Sequence, residues 1–209
     1  MTAAGEGRRL VLLRHGRTAW NLAGRAQGHA DTDLDETGHT QAAAAATSLA
    51  ALAPAQLWSS DLARARQTAS YVERATGLAA KADARLREYD VGARQGMDLD
   101  EFAVAFPAEH RQWLAGDGLP QVPGAESTDD VLDRMLPALR EALGALAPGE
   151  TGIVVTHGAA LKVALLGLLG WPQELSTGLE GVHNCHWVEV RELAAGERLR
   201  LAAYNRRPS

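Results

Sequence analysis

Lysine is almost missing from this chain: Lys81 and Lys162 are the only two among 21 basic residues, and the other 19 are arginine. A functional arginine must therefore be recognised by position, not by abundance. Cysteine is scarcer still. Cys185 stands alone, which excludes an internal disulfide and makes a reducing cytoplasm the expected location. Aromatics make up only 5% of the residues, with two phenylalanines beside five tryptophans; the tryptophans are expected in the core and in a central insertion. An excess of positive charge is also lacking. Twenty-six acidic against 21 basic residues give a net charge of -5, the opposite of what a general nucleic-acid binder carries, so no nucleic-acid partner is expected. No apolar leader is read in the small, polar residues 1–7. The greasiest stretches are 41–55, mostly alanine, and 153–170, which carries His157 and Lys162. Neither suits a lipid-facing span, and no membrane partner is expected.

What is present is ordinary for a globular protein: 46% hydrophobic and 22% charged residues over a length of 209. Against about 150 residues per domain, this predicts a single domain spanning 1–209. Such a chain buries about 70% of its unfolded surface and needs no metal or disulfide staple.

Short apolar runs alternate with helical patterns. Arg9 to Leu13 reads as a buried strand, followed by a polar stretch from Arg14 to Gly38 that is long for an idle connection. A helix is expected over Thr40–Leu52, a strand over Gln56–Ser59, a helix over Asp61–Thr76 ended by Gly77, and a weak strand over Leu78–Ala82. Two short helices, Leu99–Phe106 and Glu109–Leu114, flank Pro107 inside an irregular insertion at about 86–126 that could cover a site. Ser127 and Asp130 resemble a capping box opening a helix to about Ala147. Gly152–Thr156 is the strongest strand signal, Ala159–Leu169 a buried helix, and Cys185–Val190 and Arg198–Tyr204 two closing strands. The alternation predicts an α/β three-layer sandwich: a mostly parallel central sheet flanked by helices.

In open sheets of this kind ligands bind beyond the carboxyl ends of the strands. That rule brings together Arg14-His15-Gly16, Ser59-Ser60-Asp61 with Arg64 one turn on, Arg85 with Arg87 and Glu88, and Thr156-His157-Gly158. Arginine forks match phosphate oxygens, and the helix start after Gly158 offers backbone N–H groups to an anion. A neutral imidazole can attack phosphorus to give a phosphohistidine, and a carboxylic acid such as Glu88 can protonate the departing alkoxide. Asp90, two residues on, competes for that role.

These segments resemble the histidine phosphatase superfamily, the phosphoglycerate mutase-like fold. Leu13-Arg14-His15-Gly16-Arg17-Thr18 with Trp20-Asn21 is similar to its signature, and Gly24–Gly38, Ser59–Ala69, Leu86–Gly92 and Val155–Gly158 to its further motifs in order. The resemblance implies a metal-independent phosphomonoester hydrolase with no cofactor. His15 would be the phosphorylated nucleophile and Glu88 the general acid and base. His157 would join Arg14 and Arg64 in the phosphate pocket, and Asn21 and Gln27 would add hydrogen bonds. The implied substrate is a small phosphate ester, a sugar phosphate or phosphoglycerate ester; a homodimer is admissible.

Two departures stand out. Arg94 occupies a position where the family often has an aromatic, which predicts a more cationic pocket wall. Only 69 positions separate Glu88 from His157, shorter than in the cofactor-dependent phosphoglycerate mutases, which favours hydrolysis over the alternative of isomerase chemistry. A non-catalytic phosphate-binding protein is the third reading. His183 and His186, placed on a strand, would face opposite ways and bind no metal, with a rim or structural role. His29, His39 and His110 show no partner pattern and read as surface, and Trp113 falls in the expected lid.

Overall fold

The structure, a computed structural model, describes residues 7–116, 119–193 and 198–208. The start of the chain, residues 1–6, on which the expectation of no leader rests, lies outside the described residues.

In chain order the elements are β1 (Arg9–Arg14), α1 (Ala19–Leu22), α2 (Glu36–Ala50), β2 (Gln56–Ser59), α3 (Ala63–Thr76), β3 (Lys81–Ala82), α4 (Leu99–Ala105), α5 (Pro107–Ala115), α6 (Thr128–Gly144), β4 (Thr151–Thr156), α7 (Gly158–Leu169), β5 (Trp187–Glu192) and β6 (Leu199–Arg206). The strands form one sheet in the order β3-β2-β4-β1-β5-β6. β3, β2, β4 and β1 run parallel, and β5 and β6 extend the sheet as antiparallel neighbours. The mostly parallel three-layer architecture therefore holds, with an antiparallel pair at one edge.

Continuous apolar runs make the central strands because both of their faces are covered. In β1, Leu10 and Leu12 pack with Val131, Met135 and Leu139 of α6 and Leu161 and Leu165 of α7. Val11 and Leu13 point to the other face, against Ala42, Ala45 and Leu49 of α2 and Ala65 and Val72 of α3. The period-2 alternation of a strand thus divides the core into two layers around one sheet.

Several boundaries differ from the sequence expectation for local reasons. α2 begins at Glu36, not Thr40, because the Asp35 carboxylate caps it by accepting from the Gly38 N–H at 2.7 Å. Glycine is required inside that first turn: a Cβ on Gly38 would stand 2.0 Å from the Arg17 carbonyl oxygen, and one on Gly16 would stand 2.6 Å from that of Gly38. The α3 helix starts at Ala63, leaving Asp61 free for an ion pair with Arg87. β3 shrinks to two exposed residues at the sheet edge. Pro107 does not separate two helices by a loop; it opens α5, where its missing N–H does no harm. The Ser127–Asp130 capping box forms as expected. Trp58 and Trp187 lie in the core, but Trp171 is 39% exposed.

Candidate active site

The carboxyl ends of β1, β2 and β4 deliver the expected residues to one place. β1 ends at Arg14, and the His15 N–H is tied to the Thr156 carbonyl of β4 at 3.0 Å. The rings of His15 and His157 then lie with centroids 5.2 Å apart. His15, His157 and Arg64 are all buried.

His15 Nδ1 sits 2.7 Å from the Gly16 carbonyl oxygen. A carbonyl only accepts, so Nδ1 carries the proton and the neutral ring keeps a bare lone pair on Nε2. Burial, reinforced by the positive charges of Arg64 and Arg14, holds the His15 ring well below the usual histidine range, so it is neutral near pH 7. His157 is held down in the same way, by burial first and then by Arg64. Its Nε2 lies 2.8 Å from the Ser60 hydroxyl, which in turn accepts from the Leu62 N–H. The hydroxyl's one proton has no other acceptor among the described residues, so Ser60 donates to Nε2 and the His157 proton resides on Nδ1.

That His157 Nδ1 is buried with no partner among the described residues, and so are the Nε atoms of Arg14 and Arg64. Leaving a buried donor unpaired costs about 1–3 kcal/mol. Three in one place describe an anion site. The two guanidinium groups are held rigidly from behind: Arg14 donates to the Val182 carbonyl at 2.7 Å, and Arg64 to the Ala30 and Gly28 carbonyls at 2.7 and 2.9 Å. Burial lowers the Arg64 guanidinium to about 10, which leaves it charged at neutral pH.

Asn21 and Gln27 are oriented by their oxygens. Asn21 Oδ1 accepts from the Thr18 N–H and from Asn184 Nδ2, at 3.1 and 3.3 Å. Gln27 Oε1 accepts from the hydroxyls of Thr18 and Thr32 at 3.0 and 2.6 Å. The NH2 end of each amide is left as its donor.

Glu88 is placed differently from the sequence expectation. The helix start after Gly158 does not stand open for a ligand. The Glu88 carboxylate fills it, accepting from the Ala160 N–H at 2.8 Å and the Ala159 N–H at 3.1 Å, and from the Tyr89 N–H at 3.0 Å. The anion-binding property of a helix N-terminus thus serves to fix this carboxylate. Asp90, its competitor, is taken up in its own turn, accepting from the Gly92 N–H at 2.9 Å.

Both Glu88 and Arg14 line a cavity of about 1070 Å³, together with Trp113, Lys162, Gln173 and Thr177. Trp113 thus lies where the lid was expected. Arg94, expected in the pocket wall, is not among the residues lining this cavity: its guanidinium stacks on Phe102 and on Trp113, 4.5 and 4.9 Å from the ring centroids, inside the α4–α5 cover.

Other histidines depart from their sequence reading. His183 and His186 occupy a turn, not a strand, and their rings meet at 5.2 Å. Cys185 between them adopts a positive φ of 56°. His29 is half-buried and its Nε2 donates to the Glu88 carbonyl at 2.8 Å. His39 bonds to the Tyr71 hydroxyl, and His110 packs edge-on against Phe102.

Sequence reasoning missed four supporting residues. Ser60 fixes the His157 tautomer, and Thr68 accepts from the Gly16 N–H while donating to the Arg64 carbonyl. Asn184 donates to the His15 carbonyl at 3.0 Å. Arg134, far away on α6, directs all its donors to the Glu88 loop and to Glu126. Only Ser60 carried a signal, its place at a strand end. Among the described residues no three His, Cys, Asp or Glu side chains are grouped to hold a metal ion.

Comparison with known proteins agrees with this geometry. The family model for the histidine phosphatase superfamily (branch 1) matches residues 10–205. The chain is 39% identical to a glucosyl-3-phosphoglycerate phosphatase from Mycolicibacterium vanbaalenii over 190 residues, covering 88% of this chain and 84% of that protein. It is 35% identical to a probable phosphoglycerate mutase from Cronobacter sakazakii over 176 residues, covering 84% and 81%. The solved structure of a mycobacterial glucosyl-3-phosphoglycerate phosphatase in complex with VO3 superposes with a TM-score of 0.86 at 34% identity, covering 95% of this chain and 99% of that one. By sequence, fold and site, the chain belongs to the histidine phosphatase superfamily (branch 1) and is a phosphatase.

Proposed function

We propose that this phosphatase works through a phosphohistidine on His15, without a metal, on a phosphoglycerate ester or sugar phosphate. The observation that carries the reading is the bare Nε2 of a neutral His15 beside three buried, unpartnered N–H donors from Arg14, Arg64 and His157. These donors, with the NH2 groups of Asn21 and Gln27, hold the phosphoryl oxygens. His15 Nε2 attacks phosphorus, a P–N bond forms and the ester P–O bond breaks. Glu88 gives its proton to the departing oxygen. Its Oε2 accepts one backbone N–H and its Oε1 two, so Oε2 is the oxygen with room for that proton. In the second half Glu88 takes a proton from water, the resulting hydroxide bonds to phosphorus, and the P–N electron pair returns to Nε2 as phosphate leaves.

The leaving group occupies the cavity next to Glu88. Its volume, about 1070 Å³, lies just above the usual range of small-molecule pockets and accommodates a sugar in addition to a three-carbon acid. The likeness to glucosyl-3-phosphoglycerate phosphatases supports an ester of that kind. Trp113, Ala115, Gly116 and Leu119 line this cavity, which supports a cover over it within one domain, and the single cysteine supports a cytoplasmic location. The short span between Glu88 and His157 favours hydrolysis over mutase chemistry.

The test is phosphate release in EDTA from 3-phosphoglycerate, glucosyl-3-phosphoglycerate, sugar phosphates, nucleotides and p-nitrophenyl phosphate. His15→Ala is expected to abolish release and Glu88→Gln to lower kcat on alkyl esters about 10²–10³-fold. Release that survives His15→Ala, or that needs a divalent ion, would overturn the phosphohistidine reading.

A further inference from the structure

Lys162 is one of only two lysines, and it lines the same cavity as Glu88 and Arg14. On α7 it lies four residues after Gly158, so it shares that residue's helix face, about 6 Å further along the axis. Gly158 is the residue against which Arg14 packs: a Cβ there would meet Arg14 Nε at 3.2 Å. The lysine therefore stands one helical turn from the phosphate end, on the leaving-group side.

Its ammonium donates to the carbonyls of Ser176 and Leu179 at 2.9 and 3.4 Å. Two of three donors are thus used, and the third is left over. Among the described residues Lys162 makes no ion pair. A half-buried ammonium without a counter-ion is costly, and burial lowers its affinity for the proton accordingly. The charge is retained where a cavity of this size opens beside it.

We infer that the Lys162 ammonium is a carboxylate subsite, which selects phosphate esters of short hydroxy acids over esters of the corresponding neutral alcohols. This rests on the phosphate ester reading of the neighbouring site. The two tied carbonyls fix the ammonium, so that its remaining N–H meets the carboxylate while Arg14 holds the phosphoryl group.

The discriminating pair of ligands is 3-phosphoglycerate and glycerol 3-phosphate, which differ by a carboxylate against a hydroxymethyl group. Binding is measured by titration calorimetry on a His15→Ala background, where the outcome does not depend on turnover. KM values on the otherwise native enzyme are measured in parallel. Lys162→Met is expected to weaken 3-phosphoglycerate at least about tenfold, or about 1.4 kcal/mol, with less than a twofold change for glycerol 3-phosphate. Lys162→Arg is expected to recover most of the difference. If both ligands weaken equally, Lys162 merely holds the turn at residues 173–178, and the inference is wrong. Equal affinity of the parent protein for the two ligands would overturn it as well. Failure of the catalytic reading shows separately, as no phosphate release from any ester, while the calorimetry still judges the subsite.

Discussion

Arg134 holds the backbone of Glu88: its Nη2 donates to the Glu88 carbonyl at 2.8 Å, and its other N–H groups go to the carbonyls of Arg85 and Arg87 and to both oxygens of Glu126. All five donors of the guanidinium are used. The planar fork sets the height of the acid loop, which lysine cannot imitate. If Glu88 delivers the proton as proposed, Arg134 is its positioning residue. Arg134→Lys is expected to reduce kcat on alkyl phosphates at least about tenfold, with less than a threefold effect on p-nitrophenyl phosphate, whose leaving group needs no acid. A uniform loss on both substrates would make Arg134 only structural.

Ser60 decides which nitrogen of His157 carries the proton, through its 2.8 Å contact with Nε2. Ser60→Ala removes that constraint, and a ring that shifts to the Nε2–H tautomer loses the Nδ1–H donor proposed for the phosphoryl group. A fall in kcat of roughly tenfold is expected, within the range for a lost hydrogen bond to a charged group. Chemical shifts of the His157 ring nitrogens would report the tautomer directly, and an unchanged ring would refute the role.

The two buried imidazoles also impose a pH dependence on stability. Both are held well below the ordinary value of 6.5. Below pH 6.5 the unfolded chain binds protons that the native rings refuse, so stability is intact above that pH and falls as the pH drops toward the depressed native values. Each ring contributes a slope of at most about 1.4 kcal/mol per pH unit. Urea unfolding between pH 7.5 and 5 should show a shallower loss for His157→Gln than for the parent protein; parallel curves would contradict the shift.

At Gly38 the constraint is close approach of two backbones. A Cβ would lie 2.0 Å from the Arg17 carbonyl oxygen, and a carbonyl cannot rotate away as a side chain can. Gly38→Ala is expected to cost about 1–3 kcal/mol and to displace the segment that carries His15. Denaturant titration gives the stability and phosphate release the activity; a neutral substitution would disprove the contact.

The Cys185 thiol is predicted to be inert in the native protein. Burial pushes it up to about 12, so the thiolate is scarce at pH 8. Iodoacetamide should label it in denaturant and leave it unmodified in buffer. Rapid native labelling would show that the turn between His183 and His186 opens.

Much of the site is legible without the fold because its residues sit at strand ends. In a parallel sheet the strand period and the position of the next helix already say where a side chain at that end must go. Arg14, His15, Arg64 and His157 are found in this way. The same local logic misplaces His183 and His186, since it extends a strand where a turn with a left-handed Cys185 brings the two rings together. It leaves the helix start after Gly158 open, because Glu88 reaches it only across 71 residues of sequence.

The sequence by itself determined the layered α/β architecture and the grouping of His15, His157, Arg14 and Arg64, since hydrophobic period and strand-end position are local properties. Only the tertiary structure decided where the Glu88 carboxylate is held, which histidine nitrogen is bare, and what holds each group in place. Those depend on hydrogen bonds between segments far apart in the chain, as Arg134 to Glu88 and Ser60 to His157 show, and no local pattern encodes a partner that only folding brings near.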